Sequence, residues 1–223
     1  MEVELQNHTP DPDRTAAHAA LTCYSEEVPV KDEMSQEQVK EILDKIKESG
    51  HYSVIEHASF TFAVHDVSRA LTHQLVRHRL ASYSQQSQRY VDIENFDPVV
   101  PGSISEDDKA AEIYSNFMDE VKDTYEELKE LVPLEDARYV LPNATKSNII
   151  VTMNARELWH FFSLRCCRRA QWEIRELADK MLELVEEKAP LIFEEAGAPC
   201  IRGPCPESPE FSCGEPMSKD RKK

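Results

Sequence analysis

The chain has five glycines in 223 residues, at 50, 102, 197, 203 and 214, and no pair of them can form a G-x-G-x-x-G turn. A doubly wound dinucleotide fold, in which glycine backbone approaches a pyrophosphate, is thereby excluded. Any phosphate must be held by side chains. Ten of the thirteen arginines, Arg69, Arg77, Arg79, Arg89, Arg138, Arg156, Arg165, Arg168, Arg169 and Arg175, lie in the middle of the chain. Against a formal net charge of −16 that concentration predicts a pocket for small anions. The same acidic total argues against nucleic acid, whose loose binding depends on Lys and Arg neutralising phosphates.

The densest stretch is RHRLASYSQQSQRY, residues 77–90. It brings Arg77, His78, Arg79, Gln85, Gln86, Ser87, Gln88 and Arg89 within thirteen positions. Guanidinium forks pair with phosphate two bonds at a time, and the hydroxyl and amides can bond a polar ring or sugar beside it. An alternative reading is a solvated basic loop. Ser68 can cap a helix with Leu71, Leu75 and Val76 on its apolar face, and cations are favoured at a helix C-terminus. That would account for Arg77 and Arg79 but leaves Ser87 and Arg89.

Elsewhere the pattern is mixed. Ser35 with Gln38 forms a capping box, Val39, Ile42, Leu43 and Ile46 share one face, and Gly50 closes a helix predicted over 36–48. Residues 1–14 read as a short strand or loose lead-in, and 18–24 as a helical turn. Phe60, Phe62 and Val64 alternate with Thr61, Ala63 and His65, the period of a half-buried strand. Ile113, Phe117, Val121, Tyr125, Leu128 and Val132 predict an amphipathic helix within 103–136, interrupted or ended by Pro133. Asn154 and Glu157 cap a long helix running to Pro190, with Arg156 and His160 on one face.

One domain is expected over residues 1–198, with a flexible Pro/Cys-rich tail over 199–223. The six cysteines do not make a disulfide framework, since Cys166 and Cys167 are adjacent and Cys23 stands alone. Neither His51 to His57 nor Cys200, Cys205 and Cys213 has a metal-ligand spacing, so no metal is expected. No apolar run approaches the roughly 20 residues of a membrane span, and no signal region opens the chain. A soluble, cytoplasmic protein without membrane partners is expected.

Five blocks carry a resemblance: Arg77-His78-Arg79, seven residues, Ser87; HAALTCYS and GHYSVIEHASFTF upstream; and ARYVLPNAT and MNARELWHFFSLRCCRRAQWEIR downstream. Together the chain resembles the flavin-dependent thymidylate synthases. The resemblance implies an α/β fold of the α+β type, a single domain with an antiparallel sheet flanked by helices. It also implies a homotetramer with FAD between subunits and sites shared among them. The implied reaction converts dUMP to dTMP, with 5,10-methylenetetrahydrofolate as carbon donor and NADPH-reduced FAD as hydride donor.

By the same resemblance, FAD contacts fall to Ser53, Glu56, Arg77, His78, Arg79, Gln85, Asn154, Ala155, Arg156 and His160. The family often has Thr at position 53, Glu at 85 and Asn at 160. For dUMP it points to Gln74, Leu75, Val76, Arg77, Gln85, Gln86, Ser87, Gln88, Arg89, Arg138 and Arg165. Arg89 and Arg138 suit a phosphate dianion. Arg165 is the expected catalytic residue, because a guanidinium against the uracil ring favours negative charge at N3 without a thiol adduct. The competing reading pairs Arg165 with Glu157 or Glu173. Ser87 lacks a His-Asp relay that would make it a nucleophile. Cys166, beside Arg165 and Arg168, could have a lowered pKa but stands in no nucleophile motif. A phosphate-binding module without chemistry is the alternative from another class.

Overall fold

The computed structural model describes residues 1–93 and 96–217; the basic run at 219–223 lies outside the described residues. The elements are β1 (Glu2–His8), α1 (Pro12–Thr22), α2 (Gln36–Ser49), a 3-10 turn (Tyr52–His57), β2 (Ser59–Ser68), α3 (Arg69–Leu75) and β3 (Ala81–Gln85). They continue with α4 (Gly102–Ser105), α5 (Asp108–Lys129), α6 (Leu134–Ala137), β4 (Lys146–Asn154), α7 (Ala155–Arg165), α8 (Trp172–Lys188) and α9 (Pro190–Phe193). The strands form one antiparallel sheet in the order β1-β2-β4-β3, and the class is α/β as expected. No helix among the described residues is long and apolar enough to cross a membrane.

Local signals account for most boundaries. The Ser35 hydroxyl accepts from the Gln38 N–H while the Gln38 side chain accepts from the Ser35 N–H, and Gly50 closes α2 at φ 71°. Only a residue without Cβ takes that left-handed cap cheaply. Ser68 caps α3 through the Leu71 N–H. In β4, Ser147, Ile149, Val151 and Met153 point inward and alternate with less buried neighbours. This strand and β3 were not anticipated from sequence.

Two compact units are distinguishable. One comprises residues 1–2, 64–77 and 84–150; the other comprises 3–63, 78–83 and 151–217 of the described chain. In the second, Phe60, Phe162 and Phe193 meet edge to face with centroids 5.5 and 6.0 Å apart, the geometry aromatic quadrupoles favour. The buried Asp13 carboxylate accepts from the Leu191 and Ile192 N–H groups, both at 3.0 Å, and so caps α9 from α1. Burial pushes its pKa up, and those two N–H groups partly offset the shift.

Two expectations are corrected. The helix expected to run from Asn154 to Pro190 is two helices: α7 stops at Arg165, and α8 starts at Trp172. No Pro or Gly marks the break. It is made by a turn from Cys167 to Ala170 and by the Gln171 side chain, which accepts from the Glu173 and Ile174 N–H groups. The expected amphipathic stripe is only partly inward on α5. Val121 and Tyr125 are buried, whereas Ile113 is 62% and Phe117 54% exposed, because the start of α5 extends past the core it covers further on. Residues 199–217 pack within the second unit: Arg202 lies over the Trp159 ring, Arg169 over Phe211, and Arg168 pairs with Glu215.

Asp13→Ala strands two buried donors at the start of α9. It is expected to cost about 2 kcal/mol of stability, read as a lowered urea midpoint with unchanged slope; Asp13→Asn, which keeps one acceptor, should lose less.

Candidate active site

In the second unit the site is built on α7. Asn154 caps this helix through the Glu157 N–H at 2.9 Å, and the helix ends on Arg165, where a cation is favoured by the helix dipole. Glu157, Phe161 and Arg165 follow at four-residue spacing and so share one face. Against that face lies His78, from the segment between α3 and β3, only 4% exposed. Its ring meets Phe161 edge-on at 4.9 Å and His160 at 5.8 Å. Arg165 Nε donates to His78 Nε2 at 3.1 Å, and His78 Nδ1 lies 3.5 Å from the Glu157 carboxylate. An arginine N–H can only donate, so Nε2 is an acceptor and the ring proton sits on Nδ1, facing Glu157. Tyr83 of β3 donates its hydroxyl to the His78 carbonyl at 2.8 Å.

The other predicted residues of this unit are more open. Ser53, Glu56, Arg79, Arg156 and His160 are exposed, and Ala155 is buried at the start of α7. Arg156 Nη1 meets Glu56 Oε1 at 2.5 Å, joining α7 to the 3-10 turn. Cys166 is buried directly after Arg165.

The first unit holds most of the residues expected to bind nucleotide. Gln74 is half-buried, Leu75 buried, and Val76 and Arg77 exposed. The last two lie beyond the end of α3, as do His78 and Arg79. The Gln85 amide donates to Thr72 Oγ1 and Ser147 Oγ, each at 3.1 Å, a task a glutamate could not perform at that position. Gln86 accepts from the Asn148 amide at 3.1 Å. Ser87 starts a turn in which its hydroxyl accepts from the Arg89 N–H. Gln88 Nε2 is buried with no partner among the described residues. Arg89 pairs with Glu135 at 2.7 Å, and Arg138 Nε donates to the Glu135 carbonyl at 3.1 Å, so two of the expected phosphate ligands converge on one residue. Arg69 also lies near Arg138; burial first, and then that second cation, hold its pKa below the usual range.

The structure adds to the expected Arg165 a contact not expected for it, His78 directly, with Glu157 beyond it. The signal was available: Glu157, Phe161 and Arg165 are spaced by four, whereas attention to the Arg156 and His160 pair pointed to another face. The pairing of Arg165 with a carboxylate takes a different form, since an imidazole stands between it and Glu157.

That imidazole is held neutral. Burial, then the Arg165 guanidinium and then His160, push the His78 pKa from 6.5 to about 4. Burial shifts Glu157, which faces the ring, and Tyr83, which bonds the His78 carbonyl, upward instead. The unfolded chain protonates His78 near 6.5 and the folded chain only near 4, so its contribution is complete above pH 6.5 and lost as pH falls towards 4. Between about pH 7.5 and pH 5 the parent should lose on the order of 1–2 kcal/mol more than His78→Gln, measured by urea unfolding at both pH values.

Comparison with known proteins identifies the family. The family described as "Thymidylate synthase complementing protein" matches residues 4–191. A flavin-dependent thymidylate synthase of Geobacter sulfurreducens is 53% identical over 220 residues, covering 96% of this chain and 94% of that protein. Proteins of the same description from Clostridium tetani and Pyrococcus abyssi are 45% and 47% identical, covering 96% and 93% of this chain and 94% and 90% of theirs. With the match spanning nearly the whole chain, including the arginine-rich stretch and α7, the chain belongs to the flavin-dependent thymidylate synthase family.

Proposed function

We propose that this chain methylates dUMP to dTMP, taking the carbon from 5,10-methylenetetrahydrofolate and reducing equivalents from NADPH through FAD, and releasing tetrahydrofolate. The observation that carries the reading is Arg165, half-buried at the end of α7 and tethered through Nε alone among the described residues. A guanidinium so held presents both terminal nitrogens, and thus its positive charge, to the pyrimidine. Negative charge developing at N3 and its flanking oxygen is then stabilised, which enriches the ring electronically without a covalent thiol. Burial of Cys166 agrees with a thiol-free route.

The donor chemistry of the second unit fits an anionic dinucleotide bound without a glycine loop. Arg79, Arg156 and His160 offer cationic or N–H donors and Ser53 a hydroxyl, all four exposed, while half-buried Asn154 and buried Ala155 form a helix start. Glu56 holds Arg156 in place. FAD, when bound, supplies the hydride that completes the methyl group. Contacts from Arg77, His78 and Gln85 to FAD are part of the reading; for His78 and Gln85 the side-chain bonds described above leave the backbone as the contacting group.

For dUMP, Arg89 and Arg138 take the phosphate, with Glu135 keeping the two guanidiniums close until an anion competes for them. Gln74, Gln86, Ser87 and Gln88 take the sugar and base edges, Gln88 contributing its unpartnered Nε2. Leu75, Val76 and Arg77 provide the adjoining backbone. A homotetramer with sites shared between subunits is proposed, supported by the large apolar side chains that α5 leaves exposed, Ile113 and Phe117. A cytoplasmic location fits the reduced-thiol cysteine usage.

The purified protein should be yellow, and its visible flavin absorbance should bleach when NADPH and dUMP are added without oxygen. Arg165→Ala should keep the flavin and lose dTMP formation by about 10²–10³-fold. Absence of flavin after supplying FAD, or full activity of the variant, would overturn the reading.

A further inference from the structure

The site arginines are not all held alike. Arg89 is bonded directly to the Glu135 carboxylate and Arg156 to Glu56. In such pairs the acid satisfies the fork and offsets its charge. Arg165 is held by a neutral ring instead, with the nearest acid one imidazole further away.

We propose that Glu157 and His78 form a buried relay that fixes the orientation of Arg165 while leaving its charge available to the substrate; this rests on the reading of Arg165 as the group facing the pyrimidine. Glu157, 6% exposed, selects the tautomer by facing Nδ1–H. His78 then presents Nε2 as the acceptor that Arg165 Nε requires. Because Nε is the atom engaged, the side-on edge of the guanidinium is occupied, and the end-on edge formed by Nη1 and Nη2 is left for the ligand. Two parallel donors at that edge match two adjacent acceptors, such as the deprotonated N3 of a pyrimidine imide and its neighbouring carbonyl oxygen. His78 and Glu157 are positioning residues: neither faces the substrate, and both act through Arg165. Phe161 supports the ring from the side.

Two further observations agree. His78 is anchored through its own carbonyl by Tyr83, so the backbone of the tether is fixed as well as its ring. The charged form of His78 would lose the acceptor and repel Arg165, and burial together with Arg165 and His160 holds the ring neutral.

Two amides separate the tether from general packing. In His78→Gln the amide oxygen reaches the position of Nε2 and still accepts from Arg165; in His78→Asn the amide reaches only the position of Nδ1, keeping the link to Glu157 and losing the one to Arg165. The dUMP dissociation constant of the flavin-loaded protein is measured for the parent and both variants, alone and with Arg165→Ala. His78→Asn should bind dUMP about tenfold more weakly, His78→Gln within about threefold of the parent, and with Arg165→Ala the Asn change should add less than about twofold. Equal weakening by Asn and Gln, an undiminished Asn effect in the Arg165→Ala background, or no Asn effect overturns the relay. If His78→Asn does not fold, His78→Phe replaces it in the same cycle under the same criteria. Failure of the parent itself to bind dUMP would instead overturn the functional reading, and the relay with it.

Discussion

The second unit is arranged around one hydrogen bond, from Arg165 Nε to His78 Nε2 at 3.1 Å. A guanidinium bonded to a neutral imidazole keeps its charge, whereas one bonded to a carboxylate shares it. The imidazole must therefore stay neutral and keep a single tautomer. Burial secures the first condition and Glu157 the second, at the cost of placing a carboxylate where its own ionisation is disfavoured. The arrangement exchanges some intrinsic stability for a cation whose direction and charge are both defined.

Secondary structure supplies the rest. The break after Arg165 places the guanidinium at a helix C-terminus instead of along a continuous helix, and Arg175 closes the turn by donating to the Arg168 carbonyl at 2.9 Å. Asn154 sets the start of α7, and with it the register that puts Glu157, Phe161 and Arg165 on one face. In the first unit the logic is the reverse. Arg89 and Arg138 gather on Glu135, and the Gln85 amide fastens Thr72 to Ser147, so the cations there are held by an acid and the amides by hydroxyls.

Much of this was legible in the residues themselves. The capping box at Ser35, the Gly50 cap, the strand around Phe60 and the cap at Ser68 all follow from short-range chemistry. What escaped had physical causes. The α7–α8 break depends on a glutamine cap and a turn without Pro or Gly, so local propensity does not mark it. The strand β4 alternates Ser147, Ile149, Val151 and Met153, but its polar first member blurs the pattern. Exposure of Ile113 and Phe117 depends on how far α5 extends past its core, which periodicity does not report. The His78–Arg165 bond joins residues 87 apart in sequence, a contact that local pattern does not report.

The most direct test is a crystal structure of the flavin-loaded protein with dUMP bound. The account predicts that Arg165 keeps its Nε bond to a buried His78, with Nη1 and Nη2 turned to N3 and the adjacent oxygen of the uracil ring. An Arg165 that has left His78 to pair with Glu157, or that points away from the pyrimidine, would contradict it.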